Sequence, residues 1–347
     1  MSTVNRRQFI GKSMGMTLAS SPVLAFADAF SHVPIRSDDR DMLTAEAQKA
    51  IDAGLTFLAA EMRADGRYDN SYPLSTSALA GLAFMSAGDT PGRGEYGPHI
   101  DRALAYVLDH VTESGYITVP GQTSHGPMYG HGFATLFLAE CYGMSLTPDL
   151  REKLSKAIDL IIRTQNTQGG WRYHPQQADA DISVTICQVM ALRAARNAGI
   201  EVPNKTIDAC VEFVKQSQNQ DGGFAYMLSG GPSAFPRSAA GVVALYSAGE
   251  HGTDEISRGL DYVMKHLPRG RFNREEHYFY GHYYAVQAMW HAGGAYWKAW
   301  YPAIRDELVR LQRPGGMWND PICQEYGTAM ACIVLQMPNN YLPIFQR

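Results

Sequence analysis

Two aspartates and a scatter of tyrosines, histidines and one arginine are the side chains through which this sequence could do chemistry. Asp179-Ala180-Asp181 stands just before an apolar stretch that opens at Ile182. Two carboxyls in that spacing can act as a proton donor and its partner when burial holds one of them neutral. The same two residues also suit a helix start, where Asp is a favoured N-cap stabilised by the positive end of the helix dipole. Tyr129-Gly130-His131 is echoed by Tyr280-Gly281-His282 and, in altered form, by Tyr326-Gly327-Thr328. His125, Ser183, Arg237, His277, Tyr278, Tyr283 and Glu325 lie near these triplets in the sequence. Gathered in one concavity, such groups bind a ligand or pass protons. Singly, a core His or Tyr only bonds its neighbours. No H-x-x-x-H, H-E-x-x-H or C-x-x-C spacing occurs, so neither a metal nor a cofactor is expected.

What positions these residues is a repeat. Glycine turns recur about every fifty residues, at Gly66, Gly115, Gly170, Gly223, Gly270 and Gly316. An amphipathic stretch such as Ala47–Glu61, Ile100–Val111 or Leu150–Thr164 precedes each turn, and a stretch rich in small residues follows it. The second stretches stack on one another. A polar residue opens each (Ser75, His131, Ser183, Ser238, His282, Thr328). Three positions on stands Ala78, Ala134, Ile186, Gly241, Ala285 or Ala331, and seven positions on a long apolar side chain from Leu82 to Leu335. Offsets of three and seven fall on one stripe of a helix. The pattern predicts an all-α fold, an (α/α)6 toroid of six helical hairpins in a single domain over residues 45–340. The small residues should line the axis, and the inner-helix N-termini should share one mouth. An open superhelix is the alternative topology.

Several classes are excluded by composition. The chain has 347 residues, 45% hydrophobic and 18% charged, with 30 basic against 34 acidic side chains. That is too apolar for disorder, and the formal charge of −4 without a basic run argues against a nucleic-acid partner. Residues 1–27 read as an export signal: Asn5-Arg6-Arg7-Gln8-Phe9, a short apolar run from Met14 to Phe26, and a small-x-small site at Ala25-Phe26-Ala27. A twin-arginine signal implies a periplasmic or extracytoplasmic destination, with residues 28–44 as a linker. Removing Arg6, Arg7 and Lys12 takes the charge from −4 to −7. No transmembrane segment is expected, since no apolar run approaches eighteen residues. Five cysteines without close pairing read as buried thiols.

The turns carry a family resemblance. Gln165-Asn166-Thr167-Gln168-Gly169-Gly170-Trp171 and Gln312-Arg313-Pro314-Gly315-Gly316-Met317-Trp318 both read Q-x-x-x-G-x-W, and Gln218 to Phe224 repeats the motif with Phe for Trp. This resembles the QW repeat of squalene–hopene cyclases and the related repeats of protein prenyltransferase β subunits. The Gln is expected to bond the last carbonyls of its own outer helix, with the aromatic packed on the next pair. The resemblance implies a toroid with a central cavity. It also implies, from the family's D-x-D-D motif, that Asp181 corresponds to the proton donor and Asp179 to the first acid, with Ile182 departing from the motif's last Asp. Prenyltransferase chemistry is not implied, because the prenyl diphosphate and protein substrates of that family are cytoplasmic, whereas the Arg6-Arg7 signal would send this chain out.

Function expectations follow in three classes. The first is binding of an apolar or isoprenoid-like molecule, with acid chemistry at Asp181. The second is a periplasmic carbohydrate-active enzyme, polysaccharide lyase-like, using Tyr280, His282 and Arg237. The third is a non-catalytic interaction module holding a peptide. The expected ligand site gathers Tyr129, His131, Ser183, Arg237, His277, Tyr280, His282, Tyr283, Glu325 and Tyr326. Oligomeric state is not legible.

Overall fold

A computed structural model describes residues 42–120, 126–269 and 277–346. The export signal, residues 28–41 of the linker, His125 and the fifth turn at Gly270 lie outside the described residues. Twelve α-helices follow in order: α1 Ala45–Glu61, α2 Pro73–Ser86, α3 Gly97–Asp109, α4 Pro127–Tyr142, α5 Leu150–Thr164 and α6 Ile182–Asn197. They continue as α7 Asn204–Gln216, α8 Phe235–Ala248, α9 Asp254–Met264, α10 Tyr278–Ala292, α11 Gly294–Leu311 and α12 Gln324–Leu335. Local chemistry starts them. Thr44, Asp181 and Thr253 cap α1, α6 and α9 through their side chains, and a proline in the first turn begins α2, α3, α4 and α8.

The odd-numbered helices form an outer layer and the even-numbered ones an inner layer. Outer α5 and α9 bury one stripe, whereas inner α10 buries every residue except Tyr280 and Ala292. Each inner helix packs against both inner neighbours, including α12 against α2, so the ring is closed. Closure is also written in the turns. Gly66, Gly115, Gly169, Gly222 and Gly316 all have left-handed φ between 83° and 95°. A Cβ on any of them would stand 2.0 to 2.4 Å from a carbonyl oxygen of the next outer helix: Arg102, Lys156, Ala209, Arg258 and, returning to α1, Ala53. Only glycine allows both the conformation and the approach.

The glutamines do something other than expected. Gln165 Nε2 donates to Gly169 O and to Thr206 O of α7, both at 2.8 Å. Gln218 joins Gly222 O to Glu255 O of α9, and Gln312 joins Gly316 O to Ala50 O of α1. The carbonyls they bond therefore belong to the turn and to the next hairpin, which makes each Gln a tie between repeats. The indoles of Trp171 and Trp318 donate back to Ile161 O and Leu308 O of their own outer helices, each at 2.8 Å. Tyr68 OH does the same to Leu58 O, so the first repeat has a tyrosine in the tryptophan's place.

Two register corrections follow. The turn backbone is held by the inner helix: Ile117 N donates to His131 Nδ1, Trp171 N to Thr185 Oγ1, Phe224 N to Ser238 Oγ and Trp318 N to Thr328 Oγ1. In the first repeat Ser77 Oγ donates to Gly66 O. The polar column thus runs through Ser77 and Thr185, not Ser75 and Ser183; in the third repeat the holder stands fourteen residues beyond the amide it bonds, as in the second and fourth. The small-residue column does not line the axis either. Ala134 and Ala285 are fully buried, and a Cβ on Gly241 would meet the ring of Phe224 at 2.7 Å. Small side chains there make room for the aromatic of the turn.

The C-terminal segment closes the end of the ring away from the inner-helix N-termini. Asn339 donates to Ser86 O of α2, Arg193 of α6 donates to Gln346 O, and the Trp290 indole of α10 donates to Phe345 O. Three alternate inner helices are thereby bridged by one strap. All five cysteines are unpaired, four of them buried, and no described helix is long and apolar enough to cross a membrane.

Candidate functional site

At the mouth, each inner helix contributes the residue two positions before the one that holds its turn: Ser75, Tyr129, Ser183, Pro236, Tyr280 and Tyr326. These six surround a cavity of about 570 Å³. Its floor includes Phe133, one helical turn deeper than Tyr129, and its sides include Tyr72, Tyr173, Tyr226 and Ile322. Among the described residues the lining includes the cation Arg237 and the imidazole of His277, and no carboxylate. Of the twelve residues expected at the site, the structure brings six to the cavity: Tyr129, Ser183, Arg237, His277, Tyr280 and Tyr326.

The other six sit elsewhere. His131, which holds the second turn, and His282 are both buried, and burial pushes both imidazoles down to about 3. His282 packs among Phe235, Tyr278 and Trp300. Tyr283 is fully buried beneath the cavity against Phe345, and Glu325 lies outside the lining. Asp179 is exposed and paired with Arg172.

Asp181 is fully buried at the start of α6, directly behind the wall. Its Oδ1 accepts from Val184 N at 2.8 Å, so it is the helix cap that its position suggested. Its Oδ2 is buried and meets no hydrogen-bond partner among the described residues; the nearest cation is Arg172 Nε at 3.9 Å. Burial raises this carboxyl to about 6, opposed by the Val184 amide, the Tyr226 hydroxyl and the charge of Arg172. Tyrosine hydroxyls stand in front of it. Tyr173 OH and Tyr226 OH are 2.6 Å apart, Tyr280 OH donates to Ser183 O at 2.8 Å, and Arg172 lies over both the Tyr173 and Tyr226 rings. Burial raises Tyr129, Tyr226 and Tyr280 far above the ordinary phenol value, so all three are donors at neutral pH. Under the floor, the Cys187 thiol contacts Tyr284 OH at 3.3 Å and is pushed up to about 12 by burial, which makes it inert.

Tyr72, Tyr173, Tyr226 and Arg172 were missed in the sequence. A signal existed for two of them: Trp171-x-Tyr173 and Phe224-x-Tyr226 place a tyrosine two residues past the turn aromatic, on the mouth side. Tyr72 carries no such mark. No group of three His, Cys, Asp or Glu side chains suited to a metal occurs among the described residues. The arrangement can hold an apolar molecule among aromatic faces, offer it phenolic hydrogen bonds, and present one buried acid behind them.

Comparisons with known proteins agree with this geometry. Residues 133–287 match the squalene–hopene cyclase C-terminal domain. The type II terpene cyclase MstE from Scytonema, in complex with geranylgeranyl dihydroxybenzoate, superposes with a TM-score of 0.61 at 13% identity, over 89% of this chain and 100% of that one. An α-amylase from Clostridium perfringens gives 0.57 at 10% identity, over 83% and 97%. An inactive α-1,6-mannanase variant of Salegentibacter sp. HEL1_6, in complex with α-1,6-mannotriose, gives 0.62 at 6% identity, over 85% and 99%. No curated protein matches in sequence. At these identities the structural likeness is one of fold, shared by cyclases and glycosidases alike. Together with the tied turns, it shows an α/α toroid whose residues 133–287 are similar to the squalene–hopene cyclase C-terminal domain.

Proposed function

We propose that the protein binds an apolar, isoprenoid-like small molecule in the tyrosine-lined cavity, and that Asp181 acts on it as an acid. The observation that carries this reading is a buried carboxyl with one unbonded oxygen, set behind a cavity walled by six tyrosines and Phe133. Aromatic faces favour the chains and developing cations of isoprenoids over solvent. A carboxyl raised to about 6 holds a proton over part of the physiological range. Ile182 stands where a further acid would strengthen the donor, so a more basic acceptor such as an epoxide suits Asp181 better than an isolated alkene. In that step the Tyr226 hydroxyl, which faces the cavity and acts on the Asp181 carboxyl, gives its proton to the ligand oxygen as it takes one from Asp181, and a later deprotonation of the product returns the proton by the same route. The reading places the protein outside the cytoplasm, where its Arg6-Arg7 signal would deliver it folded.

A carbohydrate-active site is less well supported. Hydrolysis by paired carboxyls needs two acids across the scissile bond, and among the described residues the lining contains none. A tyrosine base needs a lowered pKa, whereas burial raises the tyrosines here. An interaction module would be expected to have a filled axis. The test is native mass spectrometry with lipid extraction of wild type and Asp181→Asn purified from the periplasmic fraction. The reading expects a bound small apolar molecule in both, processed in the wild type and retained unprocessed in the variant. Two empty proteins would overturn it.

A further inference from the structure

We infer that the ligand of this cavity is an amphiphile with an anionic head group, held at one edge of the mouth by Arg237 while its chain runs down between the tyrosines. This rests on the reading that the cavity binds an apolar molecule, and adds which end of it is charged. Arg237 is unlike a loose surface arginine. Its Nε donates to Phe224 O at 3.0 Å and one Nη donates to Pro232 O, so the guanidinium plane is fixed by two backbone carbonyls on the fourth turn. The other Nη has no hydrogen-bond partner among the described residues, and the side chain lines the cavity.

The acids are kept off the lining. Asp179 is paired with Arg172 on the outside, and Asp181 is walled off behind Tyr173 and Tyr226. Among the described residues, this fixed cation has no carboxylate beside it and no counter-ion, in a cavity lined mostly by tyrosine and apolar side chains. Guanidinium binds carboxylate more strongly than a neutral hydroxyl because both partners are charged. The remaining lining, Phe133 below and Tyr129 and Tyr280 around, suits a hydrocarbon chain rather than a second charge. A carboxylate is the simplest head group with this chemistry, and a phosphate monoester shares it.

The test uses two ligands of one chain length, geranylgeranoic acid and geranylgeraniol, and geranylgeranyl monophosphate as a third arm. Each is titrated calorimetrically into wild type, Arg237→Gln and Arg237→Lys. The wild type is expected to bind the acid about tenfold or more tightly than the alcohol. Arg237→Gln should bring the acid down to the alcohol's affinity and leave the alcohol unchanged. Arg237→Lys, which keeps the charge and loses the planar fork, should fall between. The phosphate arm separates the head groups, a preference for it over the acid marking phosphate as the natural one. Equal binding of acid and alcohol by the wild type overturns the inference while leaving an apolar-ligand cavity standing. Parallel weakening of both ligands in Arg237→Gln also overturns it, since that is the signature of a structural role. Failure of all three ligands to bind the wild type removes the cavity reading itself.

Discussion

Asp181 answers two demands with one side chain. One oxygen caps α6, and the other is left buried without a hydrogen bond. Its carboxyl is raised to about 6 in the folded chain, against an ordinary value near 3.8. The folded state therefore holds the proton more tightly, and the stability this contributes is present below the ordinary value and lost as pH rises through 6. At neutral pH the ionised, buried form costs about 3 kcal/mol. Asn caps a helix as well as Asp does and carries no charge. Asp181→Asn should accordingly be more stable than wild type by up to about 3 kcal/mol at pH 7.5. In urea unfolding the gap should close by pH 4. A gap that stays constant with pH would mean that burial does not perturb this carboxyl. The sequence showed both possibilities for Asp181 and could not choose between them, because capping is decided by local chain direction and protonation by what lies behind the wall. Arg172 and Tyr226, which oppose the rise that burial causes, come from turns of separate repeats.

At the scale of a hairpin, the unit is a turn glycine, a tie to the next outer helix and a polar side chain holding the turn. Glycine is needed for two separate reasons, and they can be measured apart. Gly249 has φ of 96° with open space around its missing Cβ, so Gly249→Ala should cost about 1–2 kcal/mol from backbone strain alone. Gly316 has φ of 88° and the carbonyl of Ala53 at 2.3 Å from a built Cβ. Gly316→Ala should therefore cost at least about 3 kcal/mol more than Gly249→Ala in denaturant unfolding. Equal losses would show that the approach of the two hairpins is soft. The Q-x-x-x-G-x-W motif was plain in the sequence because its parts are close together in the chain. The inner-helix register was not. Taking the polar residue that opens each stretch places the register two residues early in the first and third repeats, and a slip of two turns a helix by about 200°. Ser75 and Ser183 therefore stand at the mouth, whereas His131 holds its turn and His282 is buried in an aromatic cluster.

The molecule as a whole inherits an acid sensitivity from those histidines. Both are lowered to about 3 by burial, against an ordinary value of 6.5. Their contribution to stability is complete above 6.5 and is lost as pH falls towards 3, because the unfolded chain gains protons that the folded one refuses. This is opposite in sign to Asp181 over the same interval, and two histidines outweigh one aspartate. Net stability should fall between pH 6 and pH 4, and His131→Gln should flatten that fall when melting temperature is followed against pH. An unchanged slope would mean that His131 is already charged in the fold. The closed ring was legible from six repeats. The strap that seals its far end was not, since nothing repeats in residues 336–346.

Sealing the ring by contact between its first and last hairpins has a topological result. Gln312 of the last hairpin bonds Ala50 of the first, and Arg305 donates to Met42 O, so the beginning of the folded chain lies beside its final helices. A polypeptide joined by a flexible linker long enough to run from Gln346, beside α6, back to Met42, and reopened in the exposed loop at Gly252, would keep the interhelical contacts while changing which hairpin is synthesised first. Such a circular permutant should fold to the same helical content by circular dichroism. Starting the chain with a different hairpin then becomes a way to ask whether the polypeptide winds up sequentially or snaps shut as a hoop.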